Sequence, residues 1–277
     1  MAQLVFTDLD GTLLNHDDYG YEAALPMLKW LQDQQVPVIA VTSKTRLEVE
    51  ELLCALSLHE PFVVENGSGI FIPLADPRFD WTIASHISEQ VCQPNQRYIR
   101  LCLGCTYAQA RQGLHQLSEH LEMPLQGFGD WSLAEVSDRT GLSLSDAQKA
   151  QAREFSEPFV NPGIELAKLE SAVAKLGFQV LVGDRFCHLI GAGAGKGRAV
   201  QLLRQCYAAK HPQTPLITVG LGNSPNDLAL LEVVDIPIVI PGLQGPHSDL
   251  VNRGWQVAPA TGAQGWAMAM AQVCNSW

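Results

Sequence analysis

The sequence is poor in basic residues. Its 277 residues include 18 lysines and arginines against 29 aspartates and glutamates, which gives a formal net charge of −11 at pH 7. Nucleic acids and anionic membrane surfaces are negatively charged, so this balance argues against either as a binding partner. An acidic protein that handles an anionic substrate has to concentrate its positive charge at one site.

Long hydrophobic runs are also absent from the sequence. No apolar run approaches the ~18–20 residues of a membrane-spanning helix, and the N-terminus lacks the basic and apolar regions of a signal peptide. The seven cysteines are scattered and odd in number, which is typical of reduced residues in a cytoplasmic protein. Cys102 and Cys105 form one CxxC pair. The pair is either a redox or metal site or two residues of the core. We therefore expect a cytoplasmic protein without a membrane span.

What the sequence does contain is an alternation of strand and helix patterns. Residues 1–75 alternate apolar runs with leucines at helical spacing, and the same alternation resumes near the end of the chain. In chain order, the predicted strands cover residues 4–7, 36–42, 62–64, 216–221 and 236–240, and the predicted helices cover 23–34, 45–58, 196–209, 226–233 and 263–273. This order predicts a parallel sheet with right-handed crossovers. The core is therefore predicted to be α/β, with a doubly wound, Rossmann-like parallel sheet.

The middle of the chain is more polar and has a different pattern. Its predicted elements are a strand over residues 98–103, a helix over 107–121, two short helices within 132–154, a helix over 165–176 and a hairpin over 178–190. Such a mixture indicates an α+β domain inserted into the core. We expect residues 1–83 and 188–277 to form the core and residues 84–187 to form the insertion.

Two aspartates directly follow the first predicted strand. Asp8 and Asp10 stand two residues apart, and Gly11 bends the chain after them, so both carboxylates can reach one site. One carboxylate can attack phosphorus, while the other protonates the leaving oxygen and later activates water. Two close carboxylates need a cation, and oxygen-only ligands favour Mg²⁺. A metal-binding pair of a glycosyltransferase and a simple helix cap are the alternatives.

Further polar residues follow other predicted strands, and in open sheets of this kind ligands bind at the carboxyl ends of the strands. Ser43 suits a phosphoryl oxygen, although it could also cap the next helix. Lys196 would supply a cation beside Asp8, or it is a solvated lysine at a helix start. Asn223 and Asp227 offer oxygens to a cation, or they form a turn and a helix cap.

In this order, the segments around Asp8, Ser43, Lys196 and Asn223 resemble the haloacid dehalogenase superfamily of phosphohydrolases. The insertion resembles the cap domain of its Cof-like branch. The resemblance extends over nearly the whole chain. It implies a Mg²⁺-dependent phosphatase with Asp8 as nucleophile, Asp10 as acid and base, and Ser43 and Lys196 as phosphoryl-binding residues. The implied metal-binding residues are Asp8, Asp10, Asn223 and Asp227. At position 223 the family pattern more often has Asp, so the asparagine removes one negative charge from the site.

A narrower resemblance rests on four short segments. Residues 42–46, 65–67, 153–159 and 188–189 resemble the mannosyl-3-phosphoglycerate phosphatase family, which implies hydrolysis of mannosyl- or glucosyl-3-phosphoglycerate to glycosylglycerate. The candidates for substrate binding are Ser43, Lys44, Arg46, Arg153, Glu157 and His188; for the cap residues, surface charge and cap packing are the alternative. A phosphatase of another sugar phosphate or small phosphate ester, a hexose-phosphate mutase and a non-catalytic phosphate-binding protein remain open.

Overall fold

The computed structural model describes residues 1–86, 91–95, 97–183 and 185–275. The strands are β1 (Ala2–Thr7), β2 (Val38–Ala40), β3 (Phe62–Val64), β4 (Gly69–Pro73), β5 (Val91–Asn95), β6 (Tyr98–Cys102), β7 (Ser156–Val160), β8 (Phe178–Val182), β9 (Phe186–Gly191), β10 (Leu216–Gly222), β11 (Ile236–Val239) and β12 (Gln256–Val257). The α-helices are α1 (Leu25–Asp33), α2 (Arg46–Ala55), α3 (Tyr107–Leu121), α4 (Leu133–Thr140), α5 (Leu144–Gln151), α6 (Leu166–Lys175), α7 (Lys196–Lys210), α8 (Leu228–Leu231), α9 (Ser248–Val251) and α10 (Gly262–Cys274).

The central sheet has the strand order β12-β11-β10-β1-β2, and its neighbouring strands pair in parallel. Side chains of β1 alternate between its two faces: Val5 packs in one hydrophobic cluster, whereas Leu4 and Phe6 pack in another on the opposite side. The first cluster includes residues of α1 and α10, and the second includes residues of α7. Both faces are thus covered, as a parallel sheet requires, and the predicted doubly wound α/β core is confirmed.

The third predicted strand meets this sheet at its end and then joins a second sheet. A parallel bridge between Val41 and Val63 and the hydrogen bond from the Thr42 N–H to the Val63 carbonyl link β3 to the residues after β2, while β3 itself pairs antiparallel with β4. The physical reason is the turn at residues 65–67, in which Glu65 and Asn66 both have positive φ and send the chain back along β3. Strand β4 in turn pairs with β6, which pairs with β5, so a second, antiparallel sheet lies beside the first.

A third sheet, with the order β7-β9-β8, belongs to the segment that was predicted as an insertion. Helices α3 and α6 pack on it through a separate hydrophobic cluster that includes Leu117, Phe159 and Leu169. The predicted hairpin is confirmed as β8 and β9, although its turn residue Asp184 lies outside the described residues. Strand β7 had not been predicted, because Glu157 and Pro158 interrupt its apolar pattern.

The boundaries 1–83, 84–187 and 188–277 stay a prediction. Strands β5 and β6 lie within the predicted insertion but belong to the sheet of β3 and β4, in which β6 pairs with β4 and β5 pairs with β6, whereas β7, β8 and β9 form a sheet of their own. Within the part of the chain that the structure describes, no helix is long and apolar enough to cross a membrane.

The CxxC pair is part of the core. Cys102 and Cys105 are both buried, and their Sγ atoms lie 3.4 Å and 3.3 Å from the carbonyl oxygens of Cys105 and Phe155. Burial raises the pKa of the Cys105 thiol to about 12, so the thiol stays protonated and unreactive at neutral pH.

Candidate active site

A cavity of about 360 Å³ opens at the carboxyl ends of β1, β2 and β10. Eight of the predicted site residues line it: Asp8, Asp10, Ser43, Lys44, Arg153, His188, Lys196 and Asn223. A second cavity of about 370 Å³ beside α2 and β4 contains none of them. The predicted convergence at the strand ends is therefore present, and the remaining three candidates, Arg46, Glu157 and Asp227, lie outside the cavity lining.

Asp8 and Lys196 form the centre of this site. Lys196 Nζ lies 2.7 Å from Asp8 Oδ1 and 2.7 Å from Asp227 Oδ1, and all three side chains are buried. Asp8 is held at the end of β1 by its N–H, which donates to the carbonyl of Leu221 on β10. Lys196 is the first residue of α7, so its backbone is fixed by the start of that helix.

The pKa values of this pair follow from burial and from the neighbouring charges. Burial raises the pKa of Asp8 to about 7, the negative charge of Asp227 adds to the increase, and Lys196 opposes it. For Lys196, burial opposes the charged form, but the carboxylates of Asp227 and Asp8 outweigh it and raise its pKa. The lysine is thus a permanent cation, and Asp8 is a carboxylate that needs additional positive charge to remain ionised.

Asp10 has a cation of its own. Lys44 Nζ lies 2.9 Å from Asp10 Oδ1 and 5.0 Å from the ring centre of Tyr19. Burial opposes the charged form of Lys44, but Asp10 and Glu48 outweigh this and raise the pKa of the lysine. Asp10 therefore faces the cavity beside a second fixed positive charge.

Ser43 does not cap the helix that follows it. Thr45 is the N-cap of α2, since its hydroxyl accepts from the N–H of Glu48 while the Glu48 carboxylate accepts from the N–H of Thr45. The residue that caps this helix is thus Thr45, two residues after Ser43. Ser43 instead borders the cavity, and its carbonyl accepts a hydrogen bond of 2.8 Å from Arg153 Nη1.

The loop after β10 is organised by Asp227. Its Oδ2 accepts from the backbone N–H groups of Asn223 at 2.9 Å and Ser224 at 3.0 Å, while Oδ1 faces Lys196. Both oxygens therefore have partners within the protein, and direct metal ligation by Asp227 stays a prediction. Asn223 does border the cavity, and a Cβ built on Gly11 would lie 2.3 Å from its Nδ2, so the glycine leaves room for the amide.

The charges and donor atoms of the cavity fit a divalent cation. Two carboxylates, of Asp8 and Asp10, and the amide of Asn223 border it, and oxygen donors of this kind are the ligands that Mg²⁺ prefers. Among the described residues, no group of three His, Cys, Asp or Glu side chains is arranged to hold a metal. As the family resemblance implies, a magnesium ion would be held by the Asp8 carboxylate, the Asp10 backbone carbonyl and the Asn223 amide oxygen, with Asp227 as a further predicted ligand. The Asp10 carboxylate would then stay available as acid and base.

Arg153 and His188 form another part of the cavity wall. Burial lowers the pKa of His188 to about 3, and the positive charge of Arg153 adds to the decrease. The imidazole is therefore neutral, and its buried Nδ1 has no hydrogen-bond partner among the described residues. This wall offers one guanidinium and one neutral imidazole to a ligand.

Arg46 and Glu157 were predicted to bind substrate, and this stays a prediction, since neither borders the cavity and both are paired within the protein. Arg46 Nε lies 2.6 Å from Glu154 Oε1, and its Nη1 lies 3.2 Å from Glu50. Glu157 is fully buried, where it accepts hydrogen bonds from Arg111 and from the N–H of Gly129. The sequence spacing could not separate these structural ion pairs from cavity residues, because their partners are distant in sequence.

Several cavity residues were not predicted as site residues. Phe128 and Phe186 pack edge to face at 5.1 Å and border the cavity, but a phenylalanine in sequence is not distinguishable from a core residue. Asn66 also borders the cavity. In the sequence, residues 65–67 were used only as a point of resemblance. An Asn-Gly pair directly after a predicted strand could have indicated a site residue.

Comparison with known proteins gives the family. A family model for haloacid dehalogenase-like hydrolases matches residues 5–125. The chain is 37% identical over 273 residues to a glucosyl-3-phosphoglycerate/mannosyl-3-phosphoglycerate phosphatase from Persephonella marina, with 98% of this chain and 97% of the relative covered. A protein of the same name from Methanococcoides burtonii is 34% identical over 280 residues, with 98% and 96% covered.

The fold has close counterparts among solved structures. The sucrose-phosphatase from Synechocystis in complex with sucrose and phosphate matches with a TM-score of 0.63 and 19% identity over 98% of both chains, a likeness of fold. Together with the nearly full-length sequence relatives, these matches confirm the resemblance that the sequence motifs indicated. The chain therefore belongs to the haloacid dehalogenase-like hydrolases, in the family of these curated phosphatases, and is a phosphoric monoester hydrolase.

Proposed function

We propose that this protein is a Mg²⁺-dependent phosphatase of mannosyl- or glucosyl-3-phosphoglycerate, which it hydrolyses to glycosylglycerate and phosphate in the cytoplasm. The observation that carries the proposal is the buried Lys196 Nζ at 2.7 Å from Asp8 Oδ1, in a cavity whose lining also includes Arg153. The names of the two curated relatives support the substrate class.

Asp8 is the nucleophile of the proposed reaction. Because Oδ1 faces Lys196, the other oxygen, Oδ2, is the atom available to attack phosphorus; its hydrogen-bond donor among the described residues is the Thr12 hydroxyl, at 3.5 Å. The new bond joins Oδ2 to phosphorus while the ester P–O bond breaks, and Asp10 donates a proton to the leaving oxygen. Asp10 then takes a proton from water as that water attacks phosphorus, which releases phosphate and restores Asp8.

Positive charge is the main contribution of the protein to such a transfer. Lys196 and Lys44 offset two of the three carboxylates of Asp8, Asp10 and Asp227. Phosphatases of this superfamily generally use Mg²⁺, and here the ion would be held by Asp8, Asp10 and Asn223. A bound magnesium ion supplies the remaining positive charge at the oxygens of the phosphoryl group.

Three further lining residues, Arg153, Phe128 and Phe186, are proposed to bind the rest of the substrate. The planar guanidinium of Arg153 suits the glycerate carboxylate, since arginine binds carboxylates through two parallel hydrogen bonds. The aromatic rings of Phe128 and Phe186 offer an apolar surface for one face of the sugar ring. These residues lie in the segment 84–187 that we propose as the cap.

The proposal is tested by phosphate release from a panel of substrates. The panel contains mannosyl-3-phosphoglycerate, glucosyl-3-phosphoglycerate, mannose-6-phosphate and 3-phosphoglycerate, each with and without Mg²⁺. Asp8→Asn tests the nucleophile, and Asp17→Asn, an exposed aspartate outside the cavity lining, is the matched control.

We expect Mg²⁺-dependent turnover of at least one glycosyl-3-phosphoglycerate, lost in Asp8→Asn and kept in Asp17→Asn. Turnover of mannose-6-phosphate or 3-phosphoglycerate alone would retain the chemistry and contradict the substrate. A need for a bisphosphate primer, with no net phosphate release, would instead indicate a mutase. Binding of a substrate without turnover would indicate a non-catalytic protein.

A further inference from the structure

Asn66 is a buried polar residue without a partner. Its side chain is 0% exposed, and neither Nδ2 nor Oδ1 has a hydrogen-bond partner among the described residues. Leaving both ends of a buried amide unpaired is unfavourable. Because Asn66 borders the cavity that contains Asp8, a bound ligand is the natural partner for this amide.

The backbone of Asn66 is tied to the two loops expected to hold the phosphate. Its N–H donates to the carbonyl of Thr42 at 2.9 Å, directly before Ser43. On the other side, the N–H of Gly195 donates to the carbonyl of Gly67 at 3.2 Å, directly before Lys196. Asn66 therefore stands between the loops of Ser43 and Lys196.

The conformation of this turn is specific. Asn66 has φ 60° and ψ 36°, a left-handed conformation that asparagine tolerates better than most residues. The next residue, Gly67, has φ 84°, and a Cβ there would lie 2.1 Å from the carbonyl carbon of Gly195. The turn is packed so closely against the Gly195 backbone that the position of the Asn66 side chain is fixed before a ligand arrives.

We propose that Asn66 is a further phosphoryl-binding residue, whose Nδ2 donates a hydrogen bond to an oxygen of the phosphate held between Ser43 and Lys196. This role rests on the proposed phosphatase function, because it needs a phosphate at that place. The neutral amide adds a hydrogen-bond donor to the phosphate site without adding charge, because Lys196 already supplies the positive charge there. The carbonyl oxygen of the amide remains available to a hydroxyl of the substrate.

The core position of Asn66 indicates which part of the substrate it meets. The residue follows β3, and its backbone N–H donates to the carbonyl of Thr42, directly before Ser43. Because the Ser43 loop is expected to hold the phosphoryl group, the Asn66 amide meets the phosphate.

The test measures the binding of inorganic phosphate by titration calorimetry and by the rise in unfolding temperature that phosphate causes, both at constant Mg²⁺. Asn66→Gly removes the amide and tolerates the positive φ. Asn66→Asp keeps the shape but places a carboxylate against the phosphate. The control is Ser68→Ala, because Ser68 is also fully buried with an unpartnered Oγ but lies outside the cavity lining.

We expect Asn66→Gly to weaken phosphate binding by about 10- to 100-fold, the range for a lost hydrogen bond to a charged group, and Asn66→Asp to weaken it at least as much. Ser68→Ala should bind like the wild type. Without phosphate, Asn66→Gly should unfold near the wild-type temperature, because the amide has no partner to lose.

Wild-type phosphate affinity in both Asn66 variants would overturn the proposal, and so would the absence of phosphate binding by the wild type. If the wild type releases no phosphate from any glycosyl-phosphoglycerate but the Asn66 variants still bind phosphate more weakly, the proposed substrate fails and the role of Asn66 stands.

Discussion

Asp227 and Lys196 form an ion pair closed to solvent, with Oδ1 of the aspartate 2.7 Å from Nζ of the lysine. The second oxygen of Asp227 accepts from the N–H groups of Asn223 and Ser224. One buried carboxylate thus fixes both the cation beside Asp8 and the loop that brings Asn223 to the cavity. We therefore propose that Asp227 positions Lys196 and Asn223, while direct metal ligation by Asp227 stays a prediction.

Asp227→Asn should therefore impair both stability and catalysis. An amide has only one acceptor atom, so it cannot face Lys196 and the loop N–H groups equally well. We expect the free energy of unfolding to fall by about 3–5 kcal/mol, as when one partner of a buried ion pair is removed, and kcat to fall at least about tenfold. Urea unfolding and steady-state kinetics measure the two effects, with the exposed Asp249→Asn as control. Full recovery of kcat at saturating Mg²⁺ would instead identify Asp227 as a metal ligand.

The contact between Gly67 and Gly195 predicts a difference between two glycines of like conformation. Gly67 and Gly141 have φ of 84° and 76°, but only at Gly67 would a Cβ collide with other atoms. Gly141→Ala should lose about 1–2 kcal/mol of stability from the left-handed backbone alone. Gly67→Ala should lose more in urea unfolding and should also lose activity, because the loop before Lys196 has to move. Equal losses with unchanged activity would contradict the tight packing.

Much of this site was predictable because of one geometrical rule. The carboxyl ends of parallel strands lie at the same edge of a sheet, so Asp8, Ser43 and Asn223 were expected to meet before any contact was known. The order of strand and helix patterns predicted the core in the same way.

What the sequence could not predict depends on contacts between distant residues. The departure of β3 from the parallel sheet follows from positive φ at Glu65 and Asn66, two residue types that do not require it. Arg46 and Arg153 both looked suitable for a substrate carboxylate, and only the position of Glu154 beside Arg46 separates them. Asp227 has the spacing of a metal ligand, but its oxygens turn inward.

The two arginines provide the next prediction. Arg153→Lys keeps the charge but loses the planar guanidinium that bonds to the Ser43 carbonyl and faces the cavity. We expect KM for the glycosyl-3-phosphoglycerate to rise about tenfold or more, with little change for p-nitrophenyl phosphate, which has no carboxylate. Arg46→Lys should leave KM unchanged and lower only the unfolding temperature. If KM of the Arg153→Lys variant rose equally for the glycosyl-3-phosphoglycerate and for p-nitrophenyl phosphate, recognition of the carboxylate by Arg153 would be excluded.

Asn223 stands where the family resemblance more often implies an aspartate. Asn223→Asp should bind Mg²⁺ more tightly, because an additional anionic oxygen would then border the cavity beside Asp8. We expect half-maximal activity at a lower Mg²⁺ concentration than in the wild type, and a lower unfolding temperature in the presence of a chelator, since the added charge is then uncompensated. An unchanged Mg²⁺ requirement would show that residue 223 does not contribute to the metal site.

The most direct test of the account is the capture of a phosphorylated Asp8. The enzyme is mixed with a glycosyl-3-phosphoglycerate labelled with ³²P in the presence of Mg²⁺, stopped in acid within one turnover and digested. The account predicts label on the peptide that contains Asp8, removed by hydroxylamine as an acyl phosphate requires, and absent in Asp8→Asn. Steady turnover without labelled protein in rapid-quench samples, or label on another residue, would contradict Asp8 as the nucleophile held by Lys196.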